Sequence, residues 1–528
     1  MLESLPNRPK NIILATPSPI SHRTAEENLG IGYLASILRQ TGREVRIVDG
    51  WLSGMTTHEI AEIILNDPPK DFLGFACYRS NMERTMEVAT LLKEVGLNIP
   101  LVVGGFGPTF HTEEFLNAGF DIVVRGEAEE TIVDLAKHFE FGEPQLGEIL
   151  GIAYKSDGKI IVNFPRPLRP DIDDLPFPAR DTMQMTIDRR SPVHILSARG
   201  CQAHCIFCSI VAFQKIGEGP QWRQRSIKNF IDELQQLNEK GARYFKVIDD
   251  SFIESPRNVE WCRQLADEVE SRELNIRLRG SIRADRVNDD IMHELCRAGF
   301  FAFSCGIENG SATALKRMGK SATLEQNIQA LEVFQKYGIY VQAGYILFDH
   351  GTTMQELEDN YQFMLKYKWT ISKGIFTEMY AANGTPFTRR LEKEGLLIED
   401  QRGLGNNTYP VLDENARKAY FALKDWQKSH TVTYDMTIDA ISAPKALETH
   451  ELELFHPLCI ELRERDLAFM RNILDLINQG LSQDQIMEFT NRQIEESRQW
   501  YSEFEQRVLQ VYKQSGLVYD AEGNPFMC

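Results

Sequence analysis

Residues 199–208 read Arg199-Gly200-Cys201-Gln202-Ala203-His204-Cys205-Ile206-Phe207-Cys208. An apolar run over 193–198 precedes them and predicts a β-strand, so the loop leaves a strand's carboxyl end. A C-x3-C-x2-C loop brings three thiolates together and supplies no fourth. A cubane [4Fe–4S] cluster held this way keeps one iron without a protein ligand. That position can take a small molecule, as the open position of a catalytic metal site does. A structural zinc site asks for four ligands; His194 or His204 could be the fourth, but no second cysteine pair exists. A disulfide fits less well. The cysteines number nine and, beyond the loop, are scattered as Cys77, Cys262, Cys296, Cys305, Cys459 and Cys528. No signal peptide is recognisable, so a reducing, cytoplasmic setting is expected. The scattered six read mostly as small core hydrophobes.

Outward from that loop, strands are predicted at 193–198, 244–249, 276–283, 300–307, 341–348 and 372–379. Helices lie between them, such as 226–240, with Ser226 as its N-cap. Six βα units predict a partial (β/α)6 TIM barrel. Its catalytic groups belong at the strands' carboxyl ends, where the cysteine loop falls.

Toward the amino terminus, apolar strands alternate with helices from residue 10 to about 140, which predicts a Rossmann-like, doubly wound parallel sheet. Its binding loops would be 16–32, 49–54, 77–81, 104–109 and 125–129. No Gly-x-Gly-x-x-Gly turn follows the first strand, which disfavours a dinucleotide. A proline-rich stretch follows, with a hairpin expected around Asp157-Gly158. Beyond about 393 the pattern is helical, over 460–480 and 482–516, and is expected to pack on the barrel mouth; a turn is signalled at 520–523. The α/β chain of 528 residues thus divides into domains at 1–145, 146–192 (a linker), 193–392 and 393–528. A net charge of −18 argues against general affinity for nucleic acid or an anionic membrane. No apolar run is long enough for a transmembrane helix.

The cysteine spacing, with the aromatic Phe207 before the last cysteine, resembles the radical S-adenosylmethionine (SAM) superfamily. There the open iron binds SAM's amino and carboxylate groups, and an electron from the cluster cleaves SAM to a 5′-deoxyadenosyl radical. Three further pieces resemble the cobalamin-binding domains that precede many radical SAM cores: Leu29-Gly30-Ile31-Gly32-Tyr33-Leu34-Ala35; Val103-Gly104-Gly105 with Pro108-Thr109; and Val124-Arg125-Gly126-Glu127-Ala128-Glu129. Their glycines would let backbone approach a flat macrocycle. The Asp-x-His-x-x-Gly motif that ligates cobalt elsewhere is missing. His22 and His111 sit in loops without that context, so cobalt's lower face is expected to lack a histidine. A Rossmann-like domain without cofactor is the plainer alternative.

The resemblance also implies SAM contacts. Phe207 follows from the motif. Asp249 and Asp250 would meet the amino group, although an aspartate there also suits a helix cap. Glu308, in Gly306-Ile307-Glu308-Asn309-Gly310, would meet the ribose and needs a polar partner if buried. Arg283 would pair with SAM's carboxylate or with Glu308, or form a plain ion pair. Gly344 and Ile346 would hold adenine. His350 is read as structural rather than acid–base.

The family implies a methylase acting through cobalamin on an unactivated carbon of a lipid, peptide or antibiotic precursor, with flavodoxin or ferredoxin as electron donor. A non-methylating member, such as an oxidative cyclase, is the alternative enzyme. A cobalamin or iron–sulfur sensor is the alternative of another class.

Overall fold

The computed structural model describes residues 11–19, 27–372, 374–442, 447–519 and 525–527. His22 and the turn at 520–523 lie outside them. The chain forms two compact units. One comprises 1–186 with 212–225 and 399–406; the other comprises 187–211, 226–398 and 407–528.

The first unit is built on strands β1 (Asn11–Thr16), β2 (Glu44–Asp49), β3 (Leu73–Ala76), β4 (Leu101–Gly104), β5 (Ile122–Val124), β6 (Ile152–Ser156) and β7 (Lys159–Val162). Their order is β2-β1-β3-β4-β5-β6-β7. The first five are parallel; β6 and β7 add antiparallel. Both faces of the sheet's centre are buried because β3, β4 and β5 are apolar throughout. Ile13, Phe75, Val103 and Val123 enter one core, whereas Leu14, Val102, Ile122 and Val124 enter the other. The expected hairpin turns at Asp157 and Gly158, with φ of 50° and 74°, suited to a tight two-residue turn. The hairpin extends the sheet, so this unit is wider than the expected 1–145. The order places a topological switch between β1 and β3, and ligands of such sheets sit at the strands' carboxyl ends.

The second unit holds a five-stranded parallel sheet: β8 (Val193–Ile195), β9 (Tyr244–Val247), β10 (Arg277–Ile282), β11 (Phe300–Glu308) and β12 (Tyr340–Tyr345), adjacent in chain order. Among the described residues the expected sixth strand is represented by two parallel bridges, Gln342 with Ile371 and Phe348 with Glu378. Capped helices return the chain between strands. Ser226 accepts from Asn229 N at 3.1 Å, as anticipated, and Thr323 and Thr353 form capping boxes. This is a partial (β/α)6 barrel.

The helical tail comprises Glu414–Ser429, Thr431–Ser442, Thr449–Asn478 and Gln483–Gln514. It packs differently from expectation. Just before the third of these helices, Glu448 meets Tyr244 and Arg277 at the amino ends of β9 and β10. In that helix His456 lies 5.5 Å from the ring of Tyr340, where β12 begins. Arg471 then pairs with Glu358 at 2.6 Å, on helix Met354–Lys366. The helix therefore runs beneath the strands and along the outer helical layer, where its buried Phe455, Leu462 and Met470 find apolar cover. Glu414–Ser429 reaches the sixth segment: Gln427 Oε1 accepts from Phe376 N at 3.0 Å, and Tyr420 packs on Phe348. Among the described residues no helix is long and apolar enough to cross a membrane.

Candidate functional site

Cys201, Cys205 and Cys208 line one cavity of about 440 Å³ at the barrel's carboxyl end, together with Phe207, Asp250, Arg283, Glu308 and Gly344. Backbone bonds fix the cysteine loop: Ile206 N donates to Met318 O at 3.1 Å, and Phe387 N donates to Ile206 O at 3.0 Å. Ile206 and Phe207 pack on Met318 and Phe387. Asp250 accepts from Gly200 N at 2.9 Å and so ties the loop's start to the end of β9. Burial raises all three thiols; for Cys201, with the Glu254 carboxylate adding to it, the value reaches about 12. Such thiols stay protonated until bound iron displaces the proton. Among the described residues no three His, Cys, Asp or Glu side chains gather tightly enough for a lone metal ion. Cys305 on β11 also lines the cavity but stands outside the loop; three soft donors carried on one loop along a cavity of this size fit an iron–sulfur cluster with one open iron.

Charged groups face the thiols. Glu308 takes the left-handed φ of 64° at a register shift between β11 and β12, which turns its carboxylate into the cavity. Lys320 pairs with it at 3.0 Å and is nearly buried. Burial pulls the Lys320 ammonium down, but Glu308 and Cys205 outweigh it and hold the group above its usual range. A Cβ on Gly306 would lie 2.3 Å from Glu308 Oε1, so only glycine admits that pair. Arg283 is held by Glu254 at 2.9 Å and Asp285 at 2.5 Å, and its guanidinium is shifted up: burial opposes the shift, and the two carboxylates exceed it.

Two expected contacts fall elsewhere. Asp249 is wholly buried below the cavity, where it accepts from Ser197 N at 2.7 Å and lies 3.6 Å from Arg257. Burial raises its carboxyl and lowers Arg257 to about 10. Both aspartates follow the end of β9; Asp249 is tied inward by Ser197 and Arg257, whereas Asp250 lines the cavity. Ile346 packs in the apolar cluster with Phe207 and Phe387, although its N–H donates to Glu308 O at 2.6 Å. Lys320 and Glu254 were not anticipated. Gly319-Lys320-Ser321 carries no motif, and only tertiary contact brings it to Glu308.

In the first unit, Asn28 caps helix Leu29–Gln40, on which Gly30 is exposed. Gly32 serves packing, since a Cβ there would stand 2.8 Å from Ala179 O. Gly104 ends β4. Gly105, at φ 108°, would place a Cβ 2.6 Å from Cys77 O, so backbone passes backbone. Pro108 and Thr109 occupy the short turn Phe106–Phe110, and Thr109 Oγ1 accepts from Gly126 N at 3.2 Å. Gly126 has φ 84°. Arg125 Nε and Asn28 Nδ2 are buried without a hydrogen-bond partner. Glycine-opened loops with orphaned donors at a doubly wound carboxyl edge fit a bulky, acceptor-rich cofactor such as cobalamin. Glu127 is already engaged, bound at 2.8 Å by both terminal nitrogens of Arg223. His111 is buried beside Glu114 at 3.5 Å.

The B12 binding domain family matches residues 21–136, and the Radical SAM superfamily matches 195–364. An uncharacterized methyltransferase of Pyrococcus horikoshii is 30% identical over 344 residues, 64% of this chain and 73% of that protein. An anaerobic magnesium-protoporphyrin IX monomethyl ester cyclase of Synechocystis sp. is 27% identical over 361 residues, 66% of this chain and 70% of the cyclase. The cobalamin-dependent SAM radical enzyme OxsB, solved with aqua-cobalamin and SAM bound, shares the fold: TM-score 0.76 and 20% identity, covering 96% of this chain and 84% of that one. The chain belongs to the radical SAM superfamily, among the members that carry a cobalamin-binding domain. It is a cobalamin-dependent radical SAM enzyme whose cofactors are a [4Fe–4S] cluster, SAM and cobalamin.

Proposed function

We propose that this enzyme methylates an unactivated carbon of a lipid, a peptide or a natural-product precursor. The observation that carries the radical chemistry is the single cavity shared by Cys201, Cys205, Cys208, Arg283, Glu308 and Lys320. The methyl-transfer reading rests on the B12 binding domain and on the likeness to a methyltransferase. When bound, the cofactors supply one-electron cleavage of SAM and methyl delivery; the protein positions and shields them.

Each residue has a stated part. The three cysteines hold the cluster. Lys320 and Arg283, both cationic, orient the SAM carboxylate, and Asp250 accepts from its ammonium. Glu308 accepts from the ribose hydroxyls. The bare backbone at Gly344 leaves room for adenine, with Ile346 as apolar support beneath. Asp249 holds the floor through Ser197 and Arg257 instead of touching SAM. In the first unit Gly30, Gly104, Gly105, Thr109, Arg125 and Gly126 border the cobalamin, with Pro108 stiffening the turn. Gly32 and Glu127 support that edge from behind. The electron donor is a small reduced protein such as flavodoxin or ferredoxin, in the cytoplasm.

The test begins with anaerobic reconstitution with iron, sulfide and hydroxocobalamin, then desalting and metal analysis. Near-stoichiometric cobalt, followed by methylated product on candidate substrates, is the expected result. Cobalt retention with 5′-deoxyadenosine as the only SAM product would instead favour the second reading, an oxidative cyclase. The cyclase likeness across 70% of that relative supports this alternative.

A further inference from the structure

Glu254 follows the second barrel strand and is completely buried. Its carboxylate touches the cysteine loop at a sulfur: Oε1 lies 3.3 Å from Cys201 Sγ and 3.4 Å from Gln202 N. The same carboxylate accepts from Arg283 Nη1 at 2.9 and 3.1 Å and from Arg286 Nη2 at 3.2 Å. Arg283 is held in turn by Asp285. Two guanidiniums and two carboxylates therefore form one neutral network that meets the cysteine loop through Glu254.

Once Cys201 ligates iron its thiol proton is gone, and a carboxylate stands beside a thiolate. That juxtaposition is tolerable only because both guanidiniums already neutralise the carboxylate. Conversely, without Glu254 the network would be left with a net positive charge beside the cluster, because Asp285 offsets only one of the two guanidiniums. A reduced cluster carries one more negative charge than the oxidised one, so nearby positive charge stabilises reduction.

Building on the assignment of Cys201 to the cluster, we infer that Glu254 is a positioning residue that screens the cluster from Arg283 and Arg286 and keeps its reduction potential low. It fixes the first cysteine's loop to the third barrel strand and sets the charge the cluster feels.

The experiment is an EPR-monitored redox titration of the reconstituted full-length enzyme, with iron per chain measured alongside. Glu254→Gln keeps shape and removes charge. It should increase the reduced-to-oxidised ratio at fixed potential at least tenfold, an upward shift of about 59 mV for a one-electron couple, and alter the EPR g-values. Glu254→Asp should fall between the two. Arg286→Gln removes one positive charge and should move the potential the other way. An intact cluster whose potential is unmoved in Glu254→Gln overturns the inference. So does a shift of the same sign in both charge variants. If Glu254→Gln fails to hold iron, the absence of a downward shift in Arg286→Gln overturns it. A wild-type chain that takes up no four-iron cluster overturns the cysteine assignment itself, which is a separate failure.

Discussion

The chain has two parallel-sheet carboxyl edges, made of opposite materials. At the first unit's edge the turns are glycines, Gly105 and Gly126, and the polar atoms left over are neutral or lone donors, Asn28 Nδ2 and Arg125 Nε. At the barrel's edge the turns carry thiols and ion pairs, Cys201 with Glu254 and Lys320 with Glu308. One rule of architecture, ligands at strand carboxyl ends, thus serves two chemistries. A large flat cofactor needs backbone out of its way. A small charged one beside a metal cluster needs side chains that match its charges.

The strongest way to break this contrast is Cys205→Ala. The barrel edge should lose its cluster and all SAM cleavage while cobalt binding persists; iron, cobalt and 5′-deoxyadenosine assays decide it. Retained SAM cleavage would refute the assignment. Next comes Lys320→Met. It strands the Glu308 carboxylate in a mostly buried site, at a cost of about 3–5 kcal/mol for a broken buried pair. Denaturant unfolding should show the loss, and SAM binding by equilibrium dialysis should weaken by at least tenfold.

A third test probes the first edge by pH. Asp49 ends β2; burial raises its carboxyl to about 6, against the bonds it accepts from Leu52 N and Asn28 N. Between pH of about 4 and 6 the folded chain holds a proton there that the unfolded chain has released. Its contribution is full below that window and falls away as pH rises through it, by about 3 kcal/mol at most. Asp49→Asn should flatten the dependence of unfolding free energy on pH in that window. An unchanged slope would refute the burial argument. The smallest effect is expected from Gly105→Ala. Strain at φ 108° and the approach to Cys77 O should cost about 1–3 kcal/mol and reduce cobalt per chain, leaving iron unchanged. Iron loss in that variant would show that the two edges do not act separately.

The tail sharpens what patterning can tell. The helical periodicity in 460–480 and 482–516 corresponds to two long helices, Thr449–Asn478 and Gln483–Gln514, but it says nothing of which surface they cover. His456 and Glu448 choose the strands' amino ends through Tyr340, Tyr244 and Arg277, each far away in sequence. The site shows the same division. The three cysteines are local, eight positions from first to last, and a local motif can be read directly. Asp249 and Asp250 are equivalent as letters; Ser197 and Arg257 take the first beneath the cavity, and the second lines it. Glu127 reads as a binding residue until Arg223, 96 positions on, takes both its oxygens.

By itself the sequence determined the order of elements, the two parallel sheets and the thiol donors. Apolar periodicity and short-range spacing are properties of neighbouring residues. Only the tertiary structure decided which polar residues are partners and which are free to meet a ligand. Lys320 with Glu308, Glu254 with Arg283, and Arg257 with Asp249 join separate strands and loops, and each exists because burial makes an unpaired charge too costly to leave alone.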